Sequence, residues 1–110
     1  MRTDFSGANL SGVNFLKANL TRANLKESNL NDADLTGANL AETNLENADL
    51  IRAKLVETNL LGANLIGTDF SEAKLTGRYQ REGYLAEGPI FPRESLWEQI
   101  CGVQIFLGLK

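Results

Sequence analysis

The sequence contains no histidine and a single cysteine in 110 residues. The first absence removes Ser–His and Cys–His nucleophilic pairs, imidazole metal ligands and the commonest general base. The lone Cys101 cannot close an intramolecular disulfide, and it cannot build a zinc site with no imidazole beside it. It fits a reducing compartment and, lacking a recognisable base, reads as a small buried hydrophobe rather than a nucleophile. No apolar run approaches the ~20 residues of a membrane span, and no signal peptide is visible, so a cytoplasmic location is expected. A strongly basic field is also lacking. Net charge is −3, with ten acids against seven bases in residues 1–77 and four against four in residues 78–110. Direct nucleic-acid binding through phosphate contacts is therefore not expected.

What the chain does contain is one pattern. From residue 3 to residue 77 a large apolar residue recurs at every fifth position: Phe5, Leu10, Phe15, Leu20, Leu25, Leu30, Leu35, Leu40, Leu45, Leu50, Leu55, Leu60, Leu65, Phe70 and Leu75. Two positions before each sits a small or β-branched residue, alanine in nine of the fifteen units. Between the two lies Asn or Asp in thirteen of fifteen units, Lys54 and Lys74 being the exceptions. The unit reads A-(N/D)-L-x-x, and such self-similarity decides the architecture.

A period of five suits neither regular structure. On a helix five residues advance roughly 140° net, so the leucines would wander around the axis. On a flat strand side chains alternate, so an odd period would send successive leucines to opposite faces. Within one unit, however, Ala and Leu are two apart and share a face, while Asn or Asp points the other way. The last two residues must then turn the chain. A short extended piece followed by a corner, repeated, makes a solenoid with Ala and Leu inside. Glycines fall at the ends of units, as in Gly7, Gly12, Gly37 and Gly62, where they supply corners and form no phosphate loop.

These A-(N/D)-L-x-x units resemble the pentapeptide-repeat family. The resemblance covers residues 3–77 and implies an all-β fold, a right-handed quadrilateral β-helix of about 3.75 coils with four five-residue sides per coil. Charge pairing supports twenty residues per coil independently. Stacking residue i on i+20 brings together Arg22/Glu42, Lys26/Glu46, Asp34/Lys54 and the column Asp32–Arg52–Glu72, against the like pairs Asp49/Asp69 and Lys54/Lys74. A fifteen-residue coil would instead stack Glu27, Glu42, Glu57 and Glu72. The abundant Asn is expected to serve structure, its outward amides bonding to one another or to backbone along each column.

Two places invite a partner. The residue after each central Leu is mostly polar early in the chain, then becomes Ile51, Val56, Leu61 and Ile66, one apolar residue per side around one coil. This ring either packs at corners under the tail or forms an interaction surface. The first coil, residues 3–22, leaves Phe5, Leu10, Phe15 and Leu20 at an end that Met1 and Arg2 barely cover. Either the bulky Phe residues suffice there, or the end associates with another and gives a homodimer.

Residues 78–110 form a degenerate continuation of the same domain as residues 1–77. Leu85 and Ile90 keep the central phase, and Gly83, Gly88, Pro89 and Pro92 mark turns. Ser95-Leu-Trp-Glu98 reads as a capping box, or Pro92 stands in the first turn; either start opens a short helix to about Cys101, with Gly102 ending it. Residues 84–109 are expected to cap the C-terminal end, with Trp97 as a core anchor. A filled solenoid offers no cleft for paired carboxylates, so no enzyme, cofactor or metal is expected. The partner is expected to be another protein. The resemblance adds one alternative: some members of that family mimic DNA and occupy a type II topoisomerase such as gyrase. Ten acids interleaved with seven bases is a poor imitation of duplex DNA, which carries about one charge per 1.7 Å.

Overall fold

The computed structural model describes residues 2–74. Leu75, the degenerate repeats, the expected short helix and the cap at residues 84–109 lie outside the described residues. Parallel β-bridges join every outward central residue to the one twenty positions later, from Asp4–Asn24 to Lys54–Lys74. The register of twenty is therefore the one the charge pairing favours, and each coil has four sides. In chain order the first side carries Asp4, Asn24, Asn44 and Asn64, and the second Asn9, Asn29, Asp49 and Asp69. The third carries Asn14, Asp34, Lys54 and Lys74, and the fourth Asn19, Asn39 and Asn59.

One unit shows how five residues satisfy five amides. The Ala38 N–H donates to Leu35 O at 2.9 Å and closes the preceding corner. The Asn39 N–H donates back to Ala18 O (2.9 Å), while the Leu40 N–H donates forward to Asn59 O (2.7 Å). The Glu42 N–H donates forward to Leu61 O at 2.8 Å. That leaves Ala41, whose N–H donates to the Asn39 side-chain Oδ1 at 3.0 Å. A buried or crowded amide without a partner is costly, and the Asn side chain supplies the fifth acceptor that the ladder cannot. The same bond from residue i+2 recurs at Asp4, Asn9, Asn14, Asn19, Asn24, Asn29, Asp34, Asn44, Asn59, Asn64 and Asp69. This corrects the expectation that these side chains bond along their columns. Asx geometry, in which the side chain bonds backbone two residues on, explains why the position accepts Asp as readily as Asn. One bond does cross between coils: Ile51 N–H donates to Asn31 Oδ1 at 2.8 Å.

The interior follows the assigned phase. Leu20, Leu25, Leu30, Leu35, Leu40, Leu45, Leu50, Leu55, Leu60, Leu65 and Phe70 are buried, with the alanines from Ala23 to Ala73 beside them. Phe5, Leu10 and Phe15, at the first coil, are only partly buried. Beyond the first coil, where Ser or Thr replaces Ala, the hydroxyl is buried and donates to a leucine carbonyl: Ser28 to Leu25, Thr43 to Leu40, Thr58 to Leu35 and Thr68 to Leu45, at 2.7–2.9 Å. No buried side-chain polar atom among the described residues lacks a partner.

The corners hold a feature that composition concealed. The last residue of every described unit from Gly7 to Glu72 has φ between 57° and 73°, yet nine of these fourteen are not glycine. Lys17, Arg22, Glu27, Asp32, Glu42, Asn47, Arg52, Glu57 and Glu72 all adopt the left-handed conformation, which costs an L-residue about 1–2 kcal/mol. The fixed requirement is the backbone angle, enforced by the ladder above and below. The residue type is free enough to carry charge.

Candidate functional site

With the bore filled, chemistry is confined to sides, corners and ends. Among the described residues no group of His, Cys, Asp or Glu could hold a metal ion. The ionised side chains are exposed or half-buried and arranged in columns. Arg52 forks onto Asp32, with Nε–Oδ1 at 2.9 Å and Nη2–Oδ2 at 3.1 Å. This bond holds the Asp32 carboxyl below its ordinary range and pushes the Arg52 guanidinium up, with Glu72 adding a weaker push. Arg22 Nε meets Glu42 Oε1 at 3.0 Å, and Lys26 Nζ meets Glu46 at 3.7 Å. Of the opposite-charge stacks expected, Asp34/Lys54 and Arg52/Glu72 do not close to an ion pair. Asp34 is turned to Thr36 instead, whose hydroxyl and amide hold its carboxyl low, and Lys54 adds only its field.

Charge is unevenly divided among the sides. The second and third sides carry Asp49, Asp69, Asp34, Lys54 and Lys74 at their outward positions, whereas the fourth and first carry only asparagine apart from Asp4. The fourth and first sides adjoin at the corner that holds Leu61, where Arg22 pairs with Glu42 and Arg2 lies at the first-coil end of the same column. Val56 borders this double face on one edge and Ile66 on the other. Leu61 is 40% exposed and Leu16, on the Val56 corner two coils earlier, is 50% exposed. Ile51, Val56 and Ile66 are half-buried. The four ring residues thus occupy four successive corners. Three of them frame the uncharged asparagine faces, and Ile51 stands between the two charged sides. The signal lies in the twenty-residue columns of the sequence and is not visible along a single coil of apolar residues.

On the double face the asparagine oxygens are already used. Asn24, Asn39, Asn44, Asn59 and Asn64 each accept the amide two residues on, at 2.9–3.1 Å. Their Nδ2 groups remain as outward donors, repeated about every 4.8 Å up each column.

Such geometry defines a four-sided parallel β-solenoid whose variable surface is its sides and corners. The chain belongs to the pentapeptide-repeat family, whose profile matches it in 8 copies over residues 3–41 and 43–77. A solved structure agrees on the fold. A pentapeptide repeat protein from the thylakoid lumen of Arabidopsis thaliana aligns at 22% identity and TM-score 0.58, covering 80% of this chain and 68% of its own. A pentapeptide repeat protein from the cyanobacterium Nostoc aligns at 29% identity and TM-score 0.45, over 86% and 78%. HetL, a pentapeptide repeat protein involved in heterocyst differentiation regulation in Nostoc, shares 39% identity over 64% of this chain and 32% of its own, with TM-score 0.38. The family and the Arabidopsis structure make the solenoid a right-handed quadrilateral β-helix. No curated protein sequence matches the chain.

Proposed function

We propose that the protein is a non-enzymatic interaction module that binds another protein through its uncharged double face. The observation that supports this reading is the coincidence of three features on the fourth and first sides. These sides hold all-asparagine columns apart from Asp4, the exposed Leu61 at their shared corner, and Val56 and Ile66 at their outer edges. Desolvating a charge is expensive, whereas neutral amides and aliphatic corners are cheap to cover. Because the outward amide groups are donors, the matching surface presents acceptors, such as carbonyl or carboxylate oxygens, spaced like the columns. The acidic residues are spread over sides and corners and paired with bases, Glu42 with Arg22, Glu46 with Lys26 and Asp32 with Arg52, which gives the DNA-mimic alternative no continuous acidic face.

A pull-down from the native host with three variants tests the proposal. Leu61→Lys and Val56→Lys are expected to abolish capture of the partner retained by the unaltered chain, and Ile51→Lys to leave it intact. Equal loss in all three, or in none, refutes the double face as the contact. Supercoiling by purified gyrase is expected to be unaffected at micromolar protein, and inhibition there would favour the mimic reading.

A further inference from the structure

The first coil differs from the coils above it in one respect. In the second coil, the amides of Asn24, Asn29, Asp34 and Asn39 donate down to Thr3, Ala8, Val13 and Ala18 at 2.8–3.0 Å. Their carbonyls accept from Phe5, Leu10, Phe15 and Leu20 at 2.7–2.8 Å. The matching groups of Asp4, Asn9, Asn14 and Asn19 have no partner among the described residues. Each of these four residues therefore points both its N–H and its C=O out of the same end. Inside that rim Phe5, Leu10, Val13, Phe15 and Ala18 are only partly buried, and the Phe5 and Phe15 rings meet across the bore with centroids 6.0 Å apart.

From this geometry we infer that the first coil docks head-to-head against the first coil of a second copy. A residue that offers N–H and C=O on one side is the hydrogen-bonded member of an antiparallel pair, where two residues exchange both bonds. A two-fold axis perpendicular to the solenoid reverses the direction of every side, so the two ends meet antiparallel. It also preserves the hand of the coil, so the ramp of one end follows the ramp of the other. Four sides can then form four antiparallel bridges, and the two aromatic plugs close on each other. A single extended peptide could pair with only one side and would leave the plug uncovered, so a closed four-sided end is the better match. Only Asp4 among the four edge residues carries charge, which leaves little like-charge repulsion across the axis. The interface is isologous and stops at two copies.

An end roughly 20 Å across offers about 400 Å², half of what each partner gives to a standard interface. Association is therefore expected in the upper micromolar range. This inference concerns an end of the solenoid and stands or falls separately from the reading of its sides.

The test is sedimentation of the full chain from about 10 µM to 1 mM, with amide hydrogen exchange at both limits. A monomer–dimer equilibrium is expected. Exchange at the amides of Asp4, Asn9, Asn14 and Asn19 should slow several-fold at high concentration, while that of Leu10, already bonded to Asn29, should not change. Asn9→Pro removes an amide that has no acceptor among the described residues, and is expected to weaken dimerisation at least tenfold with an unchanged circular dichroism spectrum. A chain that stays monomeric at 1 mM overturns the inference. So do edge amides that exchange equally at both concentrations, or growth past the dimer by head-to-tail stacking. The exchange arm uses the unaltered protein and decides the matter even if the proline variant does not fold.

Discussion

Leu40→Ala should be far more damaging than Leu10→Ala, although both remove the same atoms from the same position of the repeat. Leu40 is 0% exposed and lies between Leu20 (7%) and Leu60 (3%) in its column. Deleting its buried carbons forfeits about 2.4 kcal/mol at ~0.8 kcal/mol per methylene. The cavity left behind adds about 24 cal/mol per Å³. Collapse into it is hindered, because the Leu40 amide is held to Asn59 and its neighbours are locked coil to coil. The cost therefore falls in the upper half of the usual range, about 3.5–5 kcal/mol. Leu10 is only partly buried at the first coil. Its removal opens to solvent rather than leaving a void, so about 1–1.5 kcal/mol is expected. Urea unfolding followed by circular dichroism at low micromolar protein, below the concentration at which the ends are proposed to associate, measures both. Equal losses, or a Leu40→Ala cost under about 1 kcal/mol, would refute the claim that hydrogen-bonded coils keep the bore from relaxing.

Three further outcomes follow from individual residues. Lys54 cannot accept the Val56 amide as Asn does elsewhere, and it stacks on Lys74, so Lys54→Asn should stabilise by about 0.5–1.5 kcal/mol, read as a higher urea midpoint. Gly67→Ala should lower the midpoint more than Gly12→Ala. Both have positive φ, but a Cβ at Gly67 would strike the Asn47 side chain, whereas one at Gly12 meets nothing; the difference should vanish in an Asn47→Gly background. The carboxyls of Asp4, Asp32 and Asp34 are held below their ordinary range by Ser6, Arg52 and Thr36 respectively. A depressed folded-state pKa contributes stability that is present above the unfolded value near 3.9 and lost as pH falls through the folded value. Melting temperature should therefore fall as pH drops below about 4, and less so in Asp34→Asn, which keeps the side-chain acceptor but no longer titrates.

The linear sequence determined the inward phase, the side of each Asn and Leu, and the register of twenty. These are properties of spacing, and a period of five admits one way to bury Leu and Ala together while turning the chain. The charge columns Arg22/Glu42 and Asp32/Arg52 were legible for the same reason. Three things needed the tertiary structure. The asparagine oxygen bonds the amide two residues on, because the coil-to-coil ladder serves three of five amides, the corner turn serves a fourth, and that one is left over. Charged residues such as Glu57 and Arg52 hold left-handed corners, because hydrogen bonds on both sides of a corner impose the angle whatever residue occupies it. The candidate surface was legible only in part: Val56, Leu61 and Ile66 stood out as apolar, but their neighbours on the surface are twenty residues away in the chain. Only folding sets Asn39 beside Asn59, and Asn44 beside Asn64, to make two uncharged faces meet at one exposed leucine.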